Sequence, residues 1–231
     1  METTRPSRLA RNKFMGRLGC LAAIIASVSL SSCRFIPTAD VAKLSASDSG
    51  GAAAFDPDAM AASMWATKVI PYFENKAGLL IEVRELAAQS ADEAGLKFGY
   101  RPRSNDVPWT FIVRFEGTIV EADTQSRAST IGVDVSGHGK PDAVVQIGPA
   151  IRGTAIRDAL DFVSFNDFTN QIDFARFGKA LNVYVNRGIL EKLPRDSLVG
   201  RKVTVVGAYP FTSAAEPPLV TPVELTLGPK P

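Results

Sequence analysis

Apolar positions alternate with polar ones from Trp109 to Val120, placing Phe111, Val113 and Phe115 on one face and Thr110, Arg114 and Glu116 on the other. A period of two predicts a strand with one buried face. Thr130 to Val135 and Ala143 to Ile147 read as two more strands, joined by the Gly-rich stretch Ser136-Gly137-His138-Gly139, and Lys202 to Gly207 and Leu219 to Leu227 as the last two. Between the third and fourth strands the period changes. Phe174, Phe177, Leu181 and Tyr184 recur at three, four and three residues within a predicted helix over 169–190. Upstream, Asp56-Pro57 is a helix start, with a capping carboxylate and a proline at the first helical position. Met60, Met64 and Trp65 share one side of that helix. Pro71 is expected to interrupt it, and Leu79, Val83, Leu86 and Ala87 predict a second helix over 74–89.

Five short strands with a helix after the third is the order of an OB-type barrel. The expected fold class is therefore α+β, an N-terminal helical segment (56–98) on a small OB-like five-stranded barrel (99–231), with a small α+β sandwich as the alternative. The loop from Gly99 to Pro108 divides the two parts.

The first 32 residues have a different character. Arg5, Arg8, Arg11, Lys13 and Arg17 precede an apolar run from Leu18 to Leu30, which is too short to span a bilayer, and Leu30-Ser31-Ser32-Cys33 follows. That order predicts a lipoprotein signal peptide over 1–32, with Cys33 as the acylated N-terminus of the mature chain. Residues 33–55, rich in Ala, Ser, Asp and Gly, are expected to form a flexible tether. The protein should then sit on the periplasmic face of an envelope membrane. Arg34 after Cys33 lacks the Asp that retains some lipoproteins in the inner membrane.

Charge and composition narrow the chemistry. The signal removes five of the 26 Lys and Arg and one of the 24 Asp and Glu, leaving 21 basic against 23 acidic side chains. No basic run remains to predict a nucleic-acid partner. Cys20 leaves with the signal and Cys33 takes the lipid, so no thiol remains for a disulfide, a nucleophile or a thiolate metal site. His138 is the single histidine, which excludes zinc sites built on several imidazoles. Gly-x-Ser-x-Gly, Walker and dinucleotide fingerprints are absent.

Three segments carry candidate sites. Asp134, Ser136 and Asp142 supply oxygens at the first, third and ninth positions of a calcium-like loop, with His138 at the fifth; the alternative is a plain hairpin turned by glycines. Asn166, Asp167, Asn170, Gln171 and Arg176 form a polar and aromatic segment suited to sugar hydroxyls, or else serve as helix caps and backbone partners. Asp161, Asp167 and Asp173 offer carboxylates for glycoside hydrolysis. Arg152 and Arg157 flank Gly153-Thr154-Ala155-Ile156, where an anion or intramolecular partners would pair them.

Val145-Gln146-Ile147-Gly148-Pro149, Gly153-Thr154-Ala155, Arg157-Asp158-Ala159-Leu160 and Phe165 to Gln171 resemble a family of predicted periplasmic lipoproteins of unknown function. Trp65 to Pro71 and the turn from Asp134 to Asp142 look like the same family, although the family's turn is richer in Asp. Members tend to be encoded beside ribose-type sugar ABC transporters. The resemblance implies a non-catalytic accessory or binding role in carbohydrate uptake, with transporter components or a small sugar as partner and no cofactor beyond the candidate calcium. A structural envelope lipoprotein acting through protein contacts, and a carboxylate-dependent glycoside hydrolase, are the alternatives.

Overall fold

The computed structural model describes residues 55–102 and 107–230. The signal, Cys33 and nearly all of the tether lie outside the described residues. Five strands close into a barrel: β3 (Thr110–Asp123), β4 (Thr130–Asp134), β5 (Ala143–Gln146), β6 (Lys202–Pro210) and β7 (Leu219–Leu227), in the order β3-β4-β5-β7-β6. A nine-residue antiparallel ladder from Thr110↔Pro210 to Thr118↔Lys202 joins β6 back to β3. Among the five barrel strands, only the β5–β7 pair is parallel. This is the five-stranded OB topology, with helices α5 (Ala155–Asp158) and α6 (Gln171–Gly188) inserted between the third and fourth barrel strands.

Closure gives each strand an inside and an outside. Phe111, Val113, Phe115, Ile131, Val133, Val145, Val203, Val205 and Val220 belong to one buried core, shared with Leu80, Val83, Ala94 and Phe98 from the helical segment. Ile112, Ala208 and Val223 belong to a second core, covered by α1 (Pro57–Met64), α2 (Ile70–Lys76), α5 and α6. The start of β3 is therefore apolar on both faces, which is why Ile112 is as deeply buried as its alternating neighbours.

The helical segment differs from the sequence expectation in three places. Asp56 caps α1 as expected, its carboxylate accepting from the backbone of Asp58 and Ala59. Pro71, however, does not stop the helical run. It stands in the first turn of α2, preceded by a π-helical turn over Trp65–Val69 in which the Ile70 amide reaches the Trp65 carbonyl. Proline has no N–H and crowds the carbonyl four residues back, and widening the preceding turn relieves that crowding without breaking the rod. The single helix expected over 74–89 is instead interrupted at Gly78–Leu79, which form β1 beside β3 before α3 (Leu80–Gln89) begins. A further helix, α4 (Ala91–Phe98), is capped by Ser90 and leads into β2 (Gly99–Tyr100), which extends the sheet where only a loop was expected.

Gly117 in β3 marks a close approach of two barrel strands. A Cβ there would collide with the backbone carbonyl of Asp134 on the neighbouring strand. Gly188, at the end of α6, faces open space. Gly117→Val is expected to destabilise the domain by about 3 kcal/mol through overpacking, whereas Gly188→Ala should leave the denaturation midpoint almost unchanged. Equal midpoints for the two variants would contradict this account of the barrel.

Candidate functional site

The hairpin between β4 and β5 is built around two carboxylates. Asp134 accepts backbone hydrogen bonds from Gly137 (2.7 Å) and His138 (3.2 Å) on Oδ1 and from Gly139 (2.7 Å) on Oδ2. Asp142 Oδ2 accepts from the amides of Val135 and Ser136 and from the Ser136 hydroxyl, each at 2.8 Å. Gly137 and Gly139 both have φ near +80°, the conformation that lets the amides turn inward. His138 stands across the turn, its Nε2 3.3 Å from Asp142 Oδ1 and its Nδ1 3.7 Å from Asp134 Oδ1.

This geometry bears directly on the calcium expectation. Asp134, His138 and Asp142 do come together, with ligand atoms within 4.8 Å of one another. The Ser136 hydroxyl donates to Asp142, and backbone N–H groups already engage both Asp134 oxygens and Asp142 Oδ2, which leaves Asp142 Oδ1 facing His138 Nε2. The segment is a hairpin turned by Gly137 and Gly139. The Gly139 amide above all, with those of Gly137 and His138, outweighs burial and holds the Asp134 carboxyl below the usual carboxylate range. Burial pushes Asp142 upward, but the Ser136 and Val135 donors and the nearby His138 outweigh it and lower this carboxyl as well.

The polar segment after α5 divides by position. Asp167 closes a capping box with Ser164 around the short turn Phe165–Asp167. Asn170 caps α6, accepting from the Asp173 amide at 2.9 Å and donating to its carboxylate at 3.0 Å. Arg176 reaches Asp173 at 3.4 Å. Asn166 and Gln171 are exposed. Asp167 therefore closes the short turn ahead of α6, and the cap of α6 itself is Asn170. Of the three aspartates considered for hydrolysis, Asp167 and Asp173 are tied into these caps and Asp161 is exposed.

A cleft of about 490 Å³ opens at one end of the barrel, between the β5–α5 loop and the β6–β7 loop. Its floor is Gln146, which is 2% exposed. The Gln146 amide donates to the Arg152 carbonyl (3.1 Å) and the Thr221 hydroxyl (2.8 Å) and accepts from the Arg152 amide (2.8 Å), so one side chain fixes the wall of the cleft. Arg152 itself is exposed, and its guanidinium makes no hydrogen bond among the described residues. Arg157, by contrast, is fully engaged with Asp158, Thr154 and the Phe174 carbonyl, and it stacks 3.9 Å from the Phe174 ring centroid. The opposite wall carries Thr212, Ser213 and Glu216.

Arg84, from α3, holds that opposite wall. Its guanidinium donates to the carbonyls of Ala214 (3.2 Å) and Glu216 (3.5 Å) in the β6–β7 loop and of Asp142 (3.1 Å) in the β4–β5 turn. Sequence reading found Arg152 but missed Gln146 as an organising residue, Arg84 and the Thr212–Pro218 loop. The partners of Arg84 lie 58 to 132 residues away, and no local pattern announces them.

Since the carboxyls of Asp134 and Asp142 are lowered in the folded state, their contribution is present above the unfolded value of about 3.9 and is lost as pH falls through the folded value. The side-chain carboxyl carbon resonances of Asp134 and Asp142, followed by NMR during acid titration, are expected to titrate with midpoints below the usual carboxylate value. A midpoint at or above pH 4 would contradict the arrangement.

A family described as predicted periplasmic lipoprotein (DUF2291) matches residues 23–226. No curated protein matches the chain. Among solved structures, an OB-fold protein from Thermotoga maritima is similar with a TM-score of 0.61 at 21% identity, covering 76% of this chain and 99% of that one.

Proposed function

Because the chain belongs to this predicted periplasmic lipoprotein family, we propose that it is anchored through an acylated Cys33 and binds a small polar solute, a sugar in the first instance, as a non-catalytic accessory of carbohydrate uptake. Among the described residues no helix is long and apolar enough to cross a membrane, so on this reading attachment falls to the lipid. Multiple acyl chains hold a protein firmly without a spanning helix.

The observation that carries the solute reading is the cleft beside Gln146. Its volume of about 490 Å³ falls in the range of small-molecule sites. Its walls are fixed by Gln146 on one side and Arg84 on the other, so little ordering would be left for a ligand to impose. The Arg152 guanidinium, the Thr212 and Ser213 side chains and the Glu216 carboxylate supply donors and acceptors suited to a polyhydroxylated molecule. The Asp158 carboxylate is taken up by Arg157 and Thr154, which favours binding over two-carboxylate chemistry.

A thermal-shift scan against pentoses, hexoses and related solutes tests this reading. A ligand at a hundredfold excess over Kd should stabilise the folded protein by about 2.7 kcal/mol. Arg152→Ala is expected to abolish the shift while leaving the ligand-free midpoint unchanged, since that guanidinium makes no hydrogen bond among the described residues. A flat panel would transfer the role to protein contacts alone.

A further inference from the structure

We propose that the N-terminal half of α6, with the ring of Phe165 beside that helix's start, is the face this domain lays on the anionic headgroups of the membrane. The proposal rests on the reading of Cys33 as the acylated anchor.

Phe165 is 49% exposed and Ile172 is 64% exposed, in a domain that buries most of its large apolar side chains. Ile172, Ala175, Arg176 and Lys179 stand at positions i, i+3, i+4 and i+7 and line a shallow, open surface on one side of the helix. The exposed charges of α6 are all cationic: Arg176, Lys179 and Arg187. Its one acidic residue, Asp173, is buried and bound to Asn170 and Arg176. An aliphatic side chain between cations is the pattern of a helix in the headgroup layer, where the apolar group enters the acyl boundary and the long basic side chains stay with the phosphates. The slight excess of acidic groups over the whole mature chain is therefore reversed along α6.

The same end of the domain is where the chain arrives from the anchor. Phe55, the first described residue, meets Phe168 edge-on with centroids 5.5 Å apart. Phe168 then meets Phe174 at 5.3 Å, and Phe174 meets Phe165 at 5.6 Å. Three ring contacts thus join the arriving chain to the exposed Phe165. Cys33 lies 22 positions before Phe55, a contour of at most about 75 Å, so this end of the domain is within reach of the bilayer. Once the lipid is inserted, contact between face and bilayer is intramolecular at high effective concentration, and a patch too weak to bind as a free protein suffices.

The test uses the full acylated protein in vesicles of phosphatidylethanolamine with a quarter phosphatidylglycerol. Signal removal and acylation leave no free thiol, so Ile172→Cys carries a single environment-sensitive dye. Leu96→Cys, at a 73% exposed position on α4, is the control. The dye at position 172 should shift to the blue and be quenched several-fold more by brominated lipid than the dye at position 96. That difference should shrink in high salt and in an Arg176→Gln, Lys179→Gln background whose circular dichroism is unchanged. Equal aqueous emission at both positions, with the protein still floating with the vesicles, overturns the proposal while sparing the anchor and leaves α6 to a protein partner. Protein that is unacylated by mass and fails to float overturns the anchor reading and this proposal with it.

Discussion

The ladder between β3 and β6 is the constraint on which the rest depends. Nine registered pairs bring the first barrel strand against the fourth, and closure turns a curved sheet into an object with an inside and an outside. Once closed, the barrel has no use for a solvent-facing surface at the start of β3, where Phe111 looks into one core and Ile112 into the other. The outer core recruits α1, α2, α5 and α6, while α3 and α4 join the inner one. The long β3 also supplies edges for β1 and β2, so the helical segment is bound into the sheet as well as packed on it.

Arg84 joins these layers beside the cleft. It sits on a helix of the inner core, and its donors end on carbonyls of two separate barrel connections. A guanidinium can satisfy several carbonyls in fixed directions at once, which a lysine ammonium on a flexible stem does less rigidly. Gln146 performs the matching task from within the barrel, with both amide hydrogens and the oxygen engaged. The cleft is thus shaped by two residues whose own polar groups are already satisfied, leaving the groups on its walls for a ligand.

Much of the barrel was legible because its signals are local. Alternation at Phe111, Val113 and Phe115, glycines at the β4–β5 turn and the helical spacing of Phe174, Phe177 and Leu181 each lie within one element. The helical segment was harder to read. Pro71 ordinarily signals a break, and only a widened turn upstream keeps the rod continuous. Gly78 and Leu79 sit within a helical periodicity, yet pairing with Val113 and Arg114 outweighs it. At the site, Asp134 and Asp142 drew attention as oxygen donors, but a sequence does not show where amides point, and here they point at the carboxylates. The cleft was illegible for a simpler reason: Arg84, Gln146, Arg152 and Thr221 meet only after the barrel has closed.

Amide hydrogen exchange of the native protein against Arg84→Ala tests most directly the claim that Arg84 shapes the proposed binding cleft by joining the helical segment to the barrel. The account predicts faster exchange in the β6–β7 loop and the β4–β5 turn, with the protection of α1, α6 and the β3–β6 ladder retained. Unchanged protection in that loop and turn, or a uniform loss across the whole domain, would contradict it.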